Sequence, residues 1–439
     1  MEDLRVTDLL ARGRTEADGL SSDPAMQAQM RETLGTIYRK LGKFQEANAL
    51  LEASLAGRQQ KDGSQQANYA ESLRALGLLK RDENKLDDAE KLTGQALEID
   101  RRIYPASSPE VLRSMVALGS IIERRGDYDR AAKILETSMK LRPQANAVSE
   151  EAAENLVELA DVYFYQGHYE PSQSLNLHAL TIERNLFGSE HPAVADVMNN
   201  LGAINANIGH YAEAENYYRQ AVAISEHWYG KDHPETAANL TALAQTLVRQ
   251  KRYDEARASL ERALAIQERV YGPDHSQVAL TLNELGLLAF NQSDNQAAEK
   301  DFLGALAIWR KSYGDHHQFV GVAYSNLGGV YADEKDYPRA EQMFRQAILV
   351  LREAVTDDHV NTAIAHLKLG RVLVHENRLN EAEAEVQIAY QYLSKHVAPQ
   401  NQFLIGARKA LFEIYGQLRE PEKAAEFRAD STPVSLAGK

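Results

Sequence analysis

A leucine followed by a small residue recurs along this chain at an almost fixed interval, and that period constrains the fold more than any other feature. Leu34-Gly35 returns as Leu76-Gly77, Leu118-Gly119, Leu159-Ala160, Leu201-Gly202, Leu243-Ala244, Leu285-Gly286, Leu327-Gly328 and Leu369-Gly370, with Leu411-Phe412 last. Each step is 42 residues, except the 41 between Leu118 and Leu159. A chain of 439 residues would otherwise argue for several closed domains. Self-similarity at this period argues instead for stacked units, each packing only on its neighbours.

Other positions travel in register. Nine residues after the small residue stands Phe44, Tyr128, Tyr169, Tyr211, Tyr253 or Tyr337, with Leu86, Asn295, Leu379 and Pro421 as substitutes. Three later comes Ala47, Ala89, Ala131, Ser172, Ala214, Ala256, Ala298, Ala340, Ala382 or Ala424, and seven beyond that another Ala or Ser from Ser54 to Ala389. Small residues at fixed points on two successive helices let the axes approach closely. In the fifth unit Val197, Met198, Leu201, Ile204 and Ile208 keep the 3–4 spacing of one apolar helix face, and Ala214, Tyr218, Ala221, Val222 and Ser225 that of the next. Gly209-His210 breaks the chain between them. Asp232 or His233 then serves as the next N-cap, with Pro234 at the first helical position.

These residues resemble the tetratricopeptide repeat from about Ala25 to Asp430. The loops Phe187-Gly188-Ser189-Glu190-His191-Pro192, Tyr229-Gly230-Lys231-Asp232-His233-Pro234, Tyr271-Gly272-Pro273-Asp274-His275-Ser276 and Tyr313-Gly314-Asp315-His316-His317-Gln318, with the long period, resemble the kinesin-light-chain type. Glu226, Glu268 and Arg310 stand where the 34-residue type has the proline that ends its second helix. The resemblance implies an all-α, right-handed superhelical solenoid of about ten antiparallel helix hairpins. The expected organisation is an N-terminal capping helix in 1–24 with Leu9, Leu10 and Ala17 inward, an array over 25–430, and a disordered tail over 431–439. No domain boundary is evident. The loop Arg142-Pro143-Gln144-Ala145-Asn146 is the expected irregularity, and the tenth repeat a polar cap.

The net charge of −14, with no run of like charges, argues against the clustered cations of a nucleic-acid-binding surface, so no nucleic acid is expected. The absence of cysteine removes thiolate chemistry and Cys-ligated zinc. No stretch reaches a membrane span and residues 1–5 lack a signal core, so the chain as written is expected in the cytoplasm. The segment from Arg5 to Gly13, then Asp23 to Gln29, also resembles the entry to repeat arrays that follow the membrane span of some bacterial serine/threonine kinases. If Met1 is not the native start, that resemblance implies an exported, periplasmic or extracytoplasmic, regulatory half of such a protein.

His191, His233, His275 and His317 lie one repeat apart, roughly 20 Å for two helix layers, and zinc needs nitrogens at about 2 Å. They read as loop and cap residues. Neither a phosphate loop nor a metalloprotease, hydrolase or kinase signature occurs, so no enzyme, metal or cofactor is expected. Gly328-Gly329 reads as a small-residue helix contact, and the carboxylates as solvated helix faces.

The first helices of a solenoid line its concave surface. Positions two before, one before, two after and six after the repeated leucine face that groove. They supply Asn199, Asn200 and Asn207; Thr241, Gln245 and Arg249; Asn283 and Asn291; and Asn326. Side-chain amides carry donors and acceptors, so a row of them can satisfy an extended peptide backbone. The kinesin-light-chain resemblance implies such clamping at Asn199-Asn200-Leu201, and in half at Asn283 and Asn326. Phe164, Tyr165 and Phe290 are expected on the same face as apolar pockets. The expected partner is a protein or extended peptide, held by amides that are solvated when the groove is empty.

Overall fold

The computed structural model describes residues 6–58, 66–143, 147–355, 359–397, 399 and 401–428, with side chains from residue 10 onward. Every regular element among the described residues is an α-helix. Two compact units, 1–204 and 205–439, divide the chain.

The first unit opens with α1 (Val6–Gly19), followed by the hairpins α2 (Pro24–Lys40)/α3 (Phe44–Arg58) and α4 (Gln66–Asp82)/α5 (Leu86–Ile103). Then come α6 (Pro109–Arg124)/α7 (Tyr128–Leu141) and α8 (Glu150–Tyr165)/α9 (Tyr169–Phe187). Helix α10 (Pro192–Asn207) carries the boundary between units within its own length, so no linker composition marks it in the sequence.

The second unit continues with α11 (Tyr211–Tyr229), α12 (Pro234–Arg249)/α13 (Tyr253–Tyr271) and α14 (Ser276–Asn291)/α15 (Asn295–Tyr313). It ends with α16 (Gln318–Asp333)/α17 (Tyr337–Val355), α18 (Val360–His375)/α19 (Leu379–His396), and α20 (Gln402–Leu418) with the short α21 (Pro421–Glu426). The fold is an all-α repeat array.

The periodic residues build the hairpin seams. Leu201, Leu243, Leu327 and Leu369 are buried, and the alanines and serines from Ala47 to Ala389 at both small positions are sealed completely. The glycines take a side chain from the second helix of their own hairpin. A Cβ on Gly119 would stand 2.7 Å from Leu135, on Gly286 2.6 Å from Phe302, and on Gly328 2.8 Å from Phe344. Gly329 has only Phe290 at 3.9 Å, so the expected packing role holds for Gly328 alone. Ile208, expected on the buried face, is exposed one residue past the end of α10.

Each hairpin turn places one residue in the left-handed region: Gly42, Gly126, Gly167 and Gly209, but also Asn84, Lys251, Ser293, Lys335, Asn377 and Arg419 near φ +60°. After the second helix, Gly230 adopts φ 97° and ψ 160°, a conformation essentially closed to other residues, and its N–H bonds the Glu226 carbonyl. That is why the Tyr-Gly pair recurs.

Leu10 and Ala17 of α1 are buried in one cluster with Leu34 and Tyr38. The side chain of Leu9, residues 144–146 of the irregular loop, and the tail 431–439 lie outside the described residues.

Candidate peptide-binding face

Within each unit the first helices of successive hairpins touch one another. In the first these are α2 with α4, α4 with α6 and α6 with α8; in the second, α12 with α14 and onward to α18 with α20. Among the described residues the second helices make no comparable contact across hairpins. The first helices therefore form the inner face, where the offset from the repeated leucine places the candidate residues. Asn199, Asn200, Phe164 and Tyr165 belong to the first unit, the other eight candidates to the second.

In the second unit, Gln245 and Arg249 are exposed on α12. Glu284 of α14 receives hydrogen bonds from Gln245 and Asn283, yet burial holds its carboxyl above the usual range against these bonds and Arg249. Asn326 Nδ2 of α16 donates to Asn283 Oδ1 at 2.9 Å, and Asn283 is only 8% exposed. The expectation of fully solvated amides is corrected here: neighbouring first helices are close enough for the amides to bond each other. Asn291 donates back to the Leu287 carbonyl at 2.7 Å, and the Thr241 hydroxyl to Ala237 at 3.0 Å, so both turn onto their own helices. Asn207 is exposed near the end of α10.

Beside the Asn283–Asn326 pair lies a cavity of about 360 Å³ between α14, α16 and α18. Leu287, Phe290, Phe302 and Val372 give it apolar walls, and Asn326, Lys368, Arg371 and His375 its polar rim. Phe290 of α14 is one of the residues that form the apolar wall of this cavity. Lys368 and Arg371 were not singled out from the sequence. They occupy the positions one before and two after Leu369, so the same offsets would have found them.

In the first unit, Asn200 Nδ2 donates to Asp161 Oδ1 at 3.3 Å, and Asn199 is partly buried beside it. Tyr165, 57% exposed, stacks on Tyr128 at 5.6 Å and 11°. Phe164 meets the edges of Tyr165 and Tyr169 at 5.5 and 5.7 Å, so it packs inside its hairpin.

The carboxylates of this face correct the expectation of solvated surface charge. The Glu158 carboxyl is pushed up to about 8 by burial in the inner face, against Arg81 and with Asp161, Glu154 and Glu123 adding to the rise. Asp161 is pushed up to about 7 by burial and by Glu123. These groups keep some exposed area, yet protein surrounds them on several sides, and that crowding disfavours their charge. They too stand one before and two after the repeated leucine, Leu159.

The loop histidines act as helix caps. Nδ1 of His233, His275, His317 and His359 accepts the N–H two residues on, at 3.2 to 3.3 Å. His191 does the same for Ala193 at 3.3 Å. His316 faces Glu353 instead, so the adjacent pair His316-His317 is committed to separate partners. No described helix is long and apolar enough to cross a membrane.

Models of the tetratricopeptide repeat match residues 26–102, 151–227, 209–269, 235–300, 277–353 and 319–392, and a second such model matches 114–147. No curated protein matches the chain. Among solved structures it is similar to a Rap protein complexed with competence and sporulation factor, at 17% identity and TM-score 0.55, over 82% of this chain and 96% of that one. It is similar to the apo form of RapI at 14% identity and TM-score 0.50, over 65% of this chain and 98% of that one. BtubC (BKLC) from P. vanneervenii matches at 22% identity and TM-score 0.44, over 54% of this chain and 96% of that one. At such identities the likeness concerns the fold. The matched repeats span most of the sequence, and the chain belongs to the tetratricopeptide repeat family.

Proposed function

We propose that this chain is a protein-interaction scaffold whose second unit holds an extended peptide segment along α12, α14, α16 and α18. The observation that carries the reading is the amide and charge row from Gln245 through Asn283 and Glu284 to Asn326, which opens directly onto the apolar cavity beside Phe290. Amides with spare donors and acceptors can pair with a peptide backbone of any sequence. The cavity supplies what a backbone contact cannot, a place for one large apolar side chain. Asn199, Asn200 and Tyr165 give the first unit a separate surface of the same kind. Residues 25–430 serve as the array, with 1–24 as its N-terminal cap.

The test is a displayed peptide library selected on the full chain and compared on an Asn326→Ala/Phe290→Ala variant. Peptides held by this face lose about tenfold or more in affinity, since each hydrogen bond contributes about 0.5–1.5 kcal/mol and a buried aromatic contact more. Helical content should stay unchanged. Equal affinity for both proteins would move the binding surface elsewhere. The same face would serve a regulatory array behind a membrane span, the second placement implied by the N-terminal resemblance. The gene sequence upstream of Met1 decides between the two placements.

A further inference from the structure

We propose that Lys368 is an amine nucleophile in a pocket suited to a small anionic aldehyde or ketone, which it takes up as a reversible Schiff base. The inference stands apart from the peptide reading and needs only the cavity at the α14–α16–α18 face.

Several lysines elsewhere on this molecule pair with carboxylates, among them Lys85 with Glu83 at 3.0 Å, Lys140 with Glu136 at 3.3 Å and Lys423 with Glu420 at 2.7 Å. Lys368 has no carboxylate within ion-pair distance among the described residues. Its Nζ lies 3.2 Å from Ser325 Oγ and 3.5 Å from the Ser325 carbonyl, at the wall of the cavity. The charged groups around it do not compensate. Asp333 of α16, on the same cavity, accepts a hydrogen bond from Asn295 at 2.8 Å. Arg371, one turn along α18, is a second cation, and Glu413 acts on Arg371 rather than on the lysine. His375 stacks on Tyr337 at 4.9 Å. Burial, then Arg371, lowers the Lys368 ammonium to about 8. An apolar pocket and a neighbouring cation are the two devices that make a lysine amine nucleophilic near neutral pH.

The pocket also selects its electrophile. Arg371 keeps exposed area at the rim, its guanidinium lying against Gly406 of α20, and makes no ion pair among the described residues, so its outward N–H groups can meet a carboxylate or phosphate on the ligand. A volume of about 360 Å³ accommodates a ring-sized molecule, since a cavity of roughly 150 Å³ already holds benzene. In the step itself the neutral amine attacks the carbonyl carbon, a C–N bond forms, and the carbonyl π pair passes to oxygen. A proton moves from nitrogen to that oxygen, with Ser325 Oγ placed to relay it. Loss of water leaves the imine, and water reverses the reaction, so no oxidant or reductant is consumed.

At pH 7.5 an amine titrating near 8 is about a quarter neutral, against roughly a thousandth for an ordinary lysine. Even with its lower basicity, Lys368 should react faster than the other lysines at this pH. The experiment treats the full chain with substoichiometric pyridoxal 5′-phosphate, traps the imine with borohydride, and maps the labelled peptides. The expected result is label concentrated on Lys368, with half-maximal rate near pH 8. Arg371→Leu should slow that labelling about tenfold, and labelling by uncharged pyridoxal much less. Lys368→Arg, which keeps the charge, should abolish label at this site with helical content and melting unchanged. Label spread over the lysines according to exposure would overturn the proposal, as would a Lys368 rate rising only above pH 10. Equal labelling of the Arg371→Leu variant by pyridoxal 5′-phosphate would overturn the anion-selective pocket.

Discussion

The ring of Tyr313 lies on the imidazole of His317, 4.3 Å between centroids and 19° from parallel, while Nδ1 of that imidazole accepts the N–H of Phe319 at 3.3 Å. Tyr229 with His233 and Tyr271 with His275 repeat the arrangement. An accepting Nδ1 fixes the neutral tautomer with its proton on Nε2. Protonation would remove the acceptor and place a positive charge at a helix N-terminus.

That geometry sets a pH dependence in the second unit. Burial holds His233, His275, His317 and His359 below the usual imidazole range, with Glu235 opposing it at His233. Between each lowered value and 6.5, the unfolded chain binds more protons than the folded one. The caps therefore contribute fully above pH 6.5 and are lost as pH falls through the folded values. Each lost cap costs about 1 kcal/mol. Replacing all four with Asn, a cap that does not titrate, should shrink the drop in melting temperature between pH 7.5 and 5. An equal drop in the variant and the parent would refute it.

The first unit should respond in the opposite sense. Glu158 titrates near 8 when folded and near 4.5 when unfolded, so the folded chain binds the extra proton. Its contribution is complete below pH 4.5 and fades as pH rises through 8. Glu158→Gln keeps the shape and removes the charge. It should raise the melting temperature at pH 8, by about 2–4 °C for each kcal/mol in a unit of this size, and much less at pH 5. A uniform shift at both values would show a packing effect instead.

Adjacent glycines on α16 should behave oppositely. Gly328→Ala drives a Cβ to 2.8 Å from Phe344 and should cost about 1–3 kcal/mol by overpacking. Gly329→Ala meets only Phe290 at 3.9 Å and should stabilise the helix by about 0.5–1 kcal/mol. Urea denaturation of both variants checks the contrast.

Lys251 and Lys335 hold left-handed turns at φ 62° and 63°. Replacing either with Gly relieves a conformation costing non-glycine residues roughly 1 kcal/mol. A gain of about 0.5–1 kcal/mol, measured by the urea midpoint, is expected after the larger chain entropy of Gly is offset. A loss would mean that the lysine side chains contribute more than the turn strain costs.

The hairpins were legible in the sequence because they rest on side-chain volume at a fixed period, and Ala214, Gly328 and Leu369 announce volume directly. The capping histidines were legible for the same reason, as loop residues ahead of apolar periodicity. The Asn283–Asn326 bond was not, since it depends on how closely two first helices from different hairpins approach. Glu158, Asp161, Lys368 and Arg371 were passed over because their residue types usually mean solvated surface. Their offsets from Leu159 and Leu369 held the signal. What chemistry the inner face gives them follows from crowding, which no single helix reveals.

Gly119, Gly286 and Gly328 each receive a bulky partner, Leu135, Phe302 and Phe344, sixteen positions later in the same hairpin. Notch and filler therefore descend together. A duplication of one whole period copies both halves of the fit, and a deletion of one removes both, leaving no orphaned hollow behind. Half a period would separate them. Genes for such chains can lengthen or shorten by recombination in full steps while each new copy arrives already matched to itself, and divergence is then free to act on the inner-face positions alone.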